Sequence, residues 1–216
     1  MFVPMSGQIT ALKVQTRNPN RVNVYLDGDF AFGLERITAA WLRIGQVLSD
    51  EKIAELKEHD EQEVVYQKAL RLLEHRPQAE EEIRRKLKGK GIPEEVIGAV
   101  LERLRQNNLV NDDQFAQAWV ENRSAFRPRS RKALQYEMRQ KGVSRPAIEQ
   151  ALANLEIDEQ DLAYQAALKQ SRKLSHLEKV DFRRKLSGFL ARRGFGYETI
   201  APVVEKIWIE LHHTNE

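Results

Sequence analysis

Lys86-Leu87-Lys88-Gly89-Lys90-Gly91-Ile92-Pro93-Glu94-Glu95-Val96-Ile97 returns 51 residues later as Glu137-Met138-Arg139-Gln140-Lys141-Gly142-Val143-Ser144-Arg145-Pro146-Ala147-Ile148. It returns again, more degraded, as Phe189-Leu190-Ala191-Arg192-Arg193-Gly194-Phe195-Gly196-Tyr197-Glu198-Thr199-Ile200. The aligned glycines are Gly91, Gly142 and Gly194. Apolar residues keep one phase in all three copies: Ile83/Leu134/Leu186, Leu87/Met138/Leu190, Ile97/Ile148/Ile200, Leu101/Leu152/Val204 and Leu104/Leu155/Ile207. A repeat of this length is one supersecondary unit that buries its apolar face against its neighbours, and such arrays present an extended surface to a large partner. The pattern points to binding rather than to a single catalytic pocket.

Within each copy the spacing predicts three short helices. The first carries Ala69, Leu70, Leu72 and Leu73 in copy one, and Phe115, Ala116, Trp119 and Val120 in copy two. The second runs to a Lys-Gly or Arg-Gly pair, where glycine suits the left-handed residue that ends a helix. The third starts near Pro93, Pro146 or Tyr197 and carries the i, i+3/i+4, i+7 stripe of Ile97, Val100, Leu101 and Leu104. Asn111-Asp112-Asp113 reads as the cap opening copy two, and Glu156-Ile157-Asp158 as the joint before copy three.

Upstream, the pattern changes from helical to alternating. Ile9, Leu12 and Val14 form one run, Arg17-Asn18-Pro19-Asn20 reads as a turn, and Val22, Val24 and Leu26 occupy one strand face. Asp27-Gly28 is a hairpin signal before Phe30, Phe32 and Leu34. Such a meander is too small to stand alone, and the expected partner is a following helix with Ile37, Ala40, Trp41 and Ile44, closed by Gly45. Ser49-Asp50-Glu51 then caps a polar helix, and the acidic run Glu58–Glu63 is either a linker or the exposed part of that helix. The expected fold is mostly α: three tandem three-helix repeats in a curved, elongated array, preceded by a three-stranded antiparallel β-meander with one or two helices. The expected boundaries are 1–60 for the N-terminal part and 64–111, 112–157 and 158–211 for the repeats.

Composition narrows the function classes. The chain has no cysteine, which excludes disulfides, thiolate zinc sites and cysteine nucleophiles and suits the cytoplasm. No apolar run approaches membrane-spanning length, and Met1-Phe2-Val3-Pro4-Met5-Ser6 shows no signal-peptide pattern. The net charge of +3 conceals an asymmetry. Residues 1–60 carry seven Lys/Arg against eight Asp/Glu, whereas 121–145 carry eight against two and 169–193 nine against two. Concentrated positive charge attracts polyanions, although each cluster by itself is also what a solvated helix face looks like.

Lys90-Gly91, Lys141-Gly142 and Arg193-Gly194 set a cation beside each helix C-terminus, where the macrodipole already favours it by about 0.3–1 kcal/mol. The alternative is that three equivalent cations stand in a row to meet a repeating polyanion. On the second helices Arg84, Arg85 and Lys88, then Arg131, Lys132 and Arg139, then Arg183, Arg184 and Arg192 project away from the apolar stripe. Most lack an i+4 carboxylate, and arginine predominates, whose planar fork suits carboxylate or phosphate. The segment Arg123-Ser124-Ala125-Phe126-Arg127-Pro128-Arg129-Ser130-Arg131 crowds four arginines that repel one another unless an anion is near. The candidate partner-binding residues are therefore Arg123, Arg127, Arg129, Arg131, Lys132, Arg139 and Lys141, with Arg84, Arg85, Lys88 and Lys90, and Arg183, Arg184, Arg192 and Arg193. Lys88-Gly89-Lys90-Gly91 is not a P-loop, His212-His213 lacks metal-ligand spacing, and no Ser/His/Asp set suggests itself, so no catalytic residue, metal or cofactor is expected. Trp41, Trp119 and Trp208 fall on apolar stripes and read as core.

Leu109-Val110-Asn111-Asp112-Asp113-Gln114-Phe115-Ala116, followed by Arg123, by Arg127-Pro128-Arg129 and by Glu137-Met138-Arg139-Gln140-Lys141-Gly142, resembles the signature of the RecX family, bacterial regulators of the RecA recombinase. The resemblance covers residues 64–157 and extends through the third copy to about 208, and the meander resembles the extra β region of longer members. It implies a non-enzymatic monomer that lies in the groove of the RecA–DNA filament, contacts RecA or DNA, single- or double-stranded, and lowers recombinase, ATPase and co-protease activity in DNA repair, homologous recombination and the SOS response. The rival reading of the residues is a helix-turn-helix protein acting directly on DNA. No recognition helix shows the Asn/Gln/Arg cluster that base readout needs.

Overall fold

The computed structural model of the chain describes residues 6–213. The start at Met1–Met5 and the side chain of His213 lie outside the described residues. Strands β1 (Gly7–Gln15), β2 (Asn18–Leu26) and β3 (Asp29–Glu35) form the expected antiparallel meander. A fourth strand, β4 (Val47–Leu48), pairs with β1 and extends the sheet to the order β3-β2-β1-β4. Two residues are too few for alternation to reveal, so the sequence pattern stops at three strands. Asp27 and Gly28 both take positive φ, 50° and 98°, as a two-residue hairpin turn requires.

Two strand readings are corrected. The turn after β1 is confined to Thr16-Arg17, and Asn18-Pro19-Asn20 already belongs to β2. The register slips between Val14 and Gln15, so Pro19 lies in an irregular stretch where no ladder donor is needed. Phe30 is exposed, because a second slip between Val24 and Tyr25 sets it opposite Tyr25, ring against ring at 6.0 Å.

The helix expected after the meander shrinks to one turn, α1 (Arg36–Ala39). Its buried residues are Thr38 and Ala39, and Leu42 follows them inward, whereas Ile37, Trp41 and Ile44 face solvent. Trp41, read as core, is 86% exposed. The reason is that Gly45, at φ 90°, donates its N–H to the Ile9 carbonyl at 2.8 Å and turns the chain back into β4 before a helix can propagate.

Ser49 caps α2 (Asp50–His75) by accepting from the Lys52 N–H at 3.3 Å. This single helix runs through the acidic stretch, which is therefore no linker. Asp60 is buried because it accepts from the Glu35 N–H and pairs with Arg21 at 2.9 Å, while Arg21 also holds Glu35 at 3.1 Å. Glu63, 1% exposed, meets Arg103 at 2.6 Å, and that guanidinium lies 3.8 Å over the Tyr66 ring. Paired and hydrogen-bonded, these carboxylates can leave water.

The remaining helices come in threes once the second half of α2 is counted: α3 (Glu80–Lys88) and α4 (Glu94–Gln106); α5 (Asp112–Phe126), α6 (Arg131–Lys141) and α7 (Arg145–Ala153); α8 (Glu159–Leu174), α9 (Lys179–Arg192) and α10 (Tyr197–His213). Asn111 and Asp158 cap α5 and α8 through their side chains, at the joints that the sequence marks. Gly91, Gly142 and Gly194 all have positive φ, and the residue after each donates back to the second helix's last turn: Ile92 to Leu87, Val143 to Met138, Phe195 to Leu190.

The chain forms two compact bodies: the residues up to Pro77 with Ile83–Leu109, and Gln78–Glu82 with Val110 onward. In the first, Val22, Val24, Leu26, Phe32 and Leu34 share a core with Leu48, Ile53 and Leu56, and α2 packs on α4. In the second, copies two and three share one core from Phe115 to Ile207, against which Trp119 and Trp208 are half-buried.

Candidate functional site

The second body brings the end of α5, the loop Arg127–Ser130, the start of α6 and the end of α9 together. Ser130 is buried and serves both sides. Its Oγ accepts from the Ala133 N–H at 3.0 Å, capping α6, and its N–H donates to the Arg193 carbonyl at 3.1 Å. Arg193 in turn donates from Nη1 to the Pro128 carbonyl at 2.9 Å, with its guanidinium 4.6 Å over the Phe189 ring. Burial, and then the neighbouring Arg129 and Arg127, push the Arg193 guanidinium below its ordinary pKa range. Two arginines of the loop and a third more than sixty residues further along the chain are thus crowded into one positive field.

The anion that such crowding calls for is internal. Glu137 on α6 holds Arg123 at 3.0 Å and Arg129 at 2.9 Å, and accepts from Trp119 Nε1 at 3.0 Å. Arg123 also lies 4.3 Å over the Trp119 ring. One carboxylate serves two of the four clustered arginines, so the surface stays positive. Arg127 is exposed and makes no ion pair among the described residues. Beside it Phe126 is 77% exposed. Along α6, Lys132, Tyr136 and Arg139 are all exposed and follow at i, i+4 and i+7, one face of the helix.

Other candidates have different surroundings. Arg131 points inward: Nη1 donates to Leu152 O at 2.6 Å, and Nη2 to Leu155 O at 2.7 Å and Ile157 O at 3.0 Å, closing the end of α7. Lys141 reaches Glu82 at 3.3 Å and lies 4.5 Å over Trp119. On α9, Arg183 approaches Glu205 at 3.8 Å and Arg184 pairs with Asp181 at 2.8 Å, while Arg192 is exposed. In the first body Arg84 pairs with Glu94, and Arg85, Lys88 and Lys90 are exposed near the Gly91 turn. Four of these cations are paired despite lacking an i+4 carboxylate, because Glu82, Glu94 and Glu205 come from other helices and Asp181 from the preceding turn of α9.

Sequence reasoning missed Glu137, Ser130 and Phe189. Glu137 counted only as one acid in a basic stretch, because its partners lie eight and fourteen residues away rather than four. Among the described residues no group of acids and histidines is placed to hold a metal ion, and no helix is long and apolar enough to cross a membrane.

Four family models match in chain order: the regulatory protein RecX N-terminal domain over residues 7–49, and the first, second and third three-helix domains of RecX over 66–104, 111–152 and 157–204. The regulatory protein RecX of Clostridium perfringens strain 13 is 34% identical over 206 residues, covering 93% of this chain and 96% of that protein. The RecX of Bacillus subtilis is 28% identical, covering 96% of this chain and 80% of its own length. A crystal structure of regulatory protein RecX superposes with a TM-score of 0.70 at 26% identity, covering 92% of this chain and 98% of that one. The RecX structure from Lactobacillus salivarius, at 23% identity and a TM-score of 0.57 over 69% of this chain and 97% of that one, shares the fold. With a curated relative above 30% identity over nearly its whole length and all four family domains in order, this chain belongs to the RecX family of regulatory proteins.

Proposed function

We propose that the chain regulates the RecA recombinase by binding its DNA filament through the arginine surface of the second body, and that it carries out no catalysis of its own. The observation that carries this reading is the crowding of Arg127, Arg129 and Arg193 around a buried Ser130, with Glu137 balancing only part of the charge. A fixed positive field beside exposed Phe126 and Tyr136 suits an acidic protein face or a phosphate backbone. Lys132 and Arg139 extend it along α6, and Arg183, Arg184 and Arg192 along α9. Arg131 acts as a brace. In this reading the chain works as a monomer in the cytoplasm and lowers strand exchange, ATP hydrolysis and co-protease activity of the filament.

The test is single-strand-dependent ATP hydrolysis by RecA, titrated with this chain at several salt concentrations. Inhibition at stoichiometric amounts is expected, and it should weaken when Arg127 and Arg129 are both replaced by alanine while the helical signal stays unchanged. No inhibition by the parent protein would refute the function. Undiminished inhibition by the double variant would refute the site.

A further inference from the structure

The first body holds a second surface that the filament reading does not use. Between α1, the sheet and α2 lies a cleft of about 410 Å³. Arg36 and Arg71 line it from opposite elements, with the Gln67 amide beside them and Ile37 and Ala40 as its apolar wall. Glu35 is at its edge, but that carboxylate is occupied by Arg21 at 3.1 Å. Neither Arg36 nor Arg71 makes an ion pair among the described residues, and both are exposed.

Next to the cleft in sequence, the short segment up to β4 exposes four large apolar side chains: Ile37, Trp41, Ile44 at 68% and Val47 at 71%. Arg43 stands among them, exposed and without an ion pair. Apolar residues scattered singly on a surface are ordinary, but four within eleven residues are not. The segment makes its backbone bonds normally, with Ile9 donating to Gln46 and Gly45 to Ile9, both at 2.8 Å, so the exposure belongs to a built surface.

We propose that this cleft and its apolar rim dock an acidic peptide segment of a partner protein, one that carries carboxylates spaced by aliphatic or aromatic side chains. The charge decides the class. Three guanidiniums without an ion pair among the described residues, Arg36 and Arg71 in the cleft and Arg43 on its rim, select carboxylates, which arginine binds through its fork. The apolar rim then requires side chains that a phosphate backbone does not have. A cleft of this size takes a few side chains rather than a folded domain.

The experiment uses the full chain and a fluorescently labelled peptide of about a dozen residues in which Asp and Glu alternate with Leu and Phe. Competitors are the same peptide with Asn and Gln in place of the acids, a single-stranded thymidine oligonucleotide, and inorganic phosphate. The acidic peptide should bind, and the R36A/R71A double variant and W41A should each weaken it about tenfold, the size expected of an interface anchor. Binding should also move the emission of exposed Trp41 to shorter wavelength, a shift that W41F abolishes. These side chains are exposed, so unchanged thermal melts will confirm that the variants fold. No binding, equal binding of the neutral peptide, or undiminished binding by the variants overturns the proposal. Full displacement by phosphate or by the oligonucleotide overturns it too, because the site would then be a simple anion site.

Discussion

Gly194 stands against Ser130 so closely that a β-carbon added to the glycine would lie 2.5 Å from the Ser130 Oγ and 2.7 Å from the Ala133 Cβ. Gly142 stands in the same relation to Glu81, whose Cβ would be 2.3 Å away, whereas a β-carbon on Gly91 would meet nothing within 4 Å. The left-handed turn that ends the second helix is common to all three copies, but only two of the turns are also packing surfaces.

The three glycines should therefore respond differently to alanine. Each substitution forces a β-carbon into the left-handed region, which costs about 1–2 kcal/mol. At Gly142 and Gly194 overpacking adds about 1–3 kcal/mol more. Urea unfolding of G91A, G142A and G194A reads this directly. Equal losses at all three positions would show that the close approach carries no energy.

Glu137 should act as the counterweight of the arginine surface. E137Q keeps the side chain's shape and part of its hydrogen bonding but removes the charge that Arg123 and Arg129 share. Because the group is half-buried, a loss of about 1–2 kcal/mol in stability is expected rather than the larger figure for a fully buried pair. Binding to single-stranded DNA should become tighter at low salt, and the log–log salt slope steeper by about one. An unchanged slope would mean that these arginines do not face the polyanion.

The contrast between what periodicity reveals and what it hides follows from range. The repeat was legible because its apolar phase and its glycines recur at a fixed interval, and its helices, the glycine turns and the caps at Ser49 and Asn111 because each is written within four residues. Trp41 was misread because the helical spacing of Ile37, Ala40, Trp41 and Ile44 says nothing about Gly45, whose bond to Ile9 stops the helix. The acidic stretch could be read as a linker or as exposed helix, and the burial of Asp60 and Glu63 was not legible, because their partners Arg21 and Arg103 lie some forty residues away in either direction. Arg131 and Arg127 look alike in sequence, yet one closes a helix end and the other faces solvent.

Arg131 should accordingly behave as a structural residue. R131K keeps the charge but cannot reach three carbonyls with one ammonium, so two to three carbonyls around the end of α7 lose their donor. A loss of about 1–3 kcal/mol is expected, with inhibition of RecA by the folded protein unchanged. Calorimetric melts and the ATPase assay separate the two. Weakened inhibition at unaltered stability would return Arg131 to the binding surface.

Thr38 presents the opposite case, a buried hydroxyl that makes no hydrogen bond among the described residues. T38V replaces it with a methyl of similar volume. Removing an unsatisfied buried polar group should stabilise the first body by about 1 kcal/mol, seen as a higher urea midpoint at unchanged slope. A lower midpoint would show that the hydroxyl is satisfied in solution.

Glu63 should give the first body an acid-sensitive component. Burial pushes its carboxyl up, but the Gln67 amide at 2.9 Å and the Arg103 guanidinium at 2.6 Å outweigh that and hold it below the ordinary carboxylate range. A carboxyl depressed by folding stabilises the native state above its unfolded value, about 4.3, and loses that contribution as pH falls through the folded value. E63Q leaves Arg103 without its charge partner, so the variant should be less stable than the parent at pH 7 by about 1–3 kcal/mol. At a pH low enough to pass below the folded value the parent carboxyl is itself protonated, and the difference should shrink. Urea titrations of parent and variant at the two pH values decide it. A gap that stays constant would locate the cost in packing rather than in the ion pair.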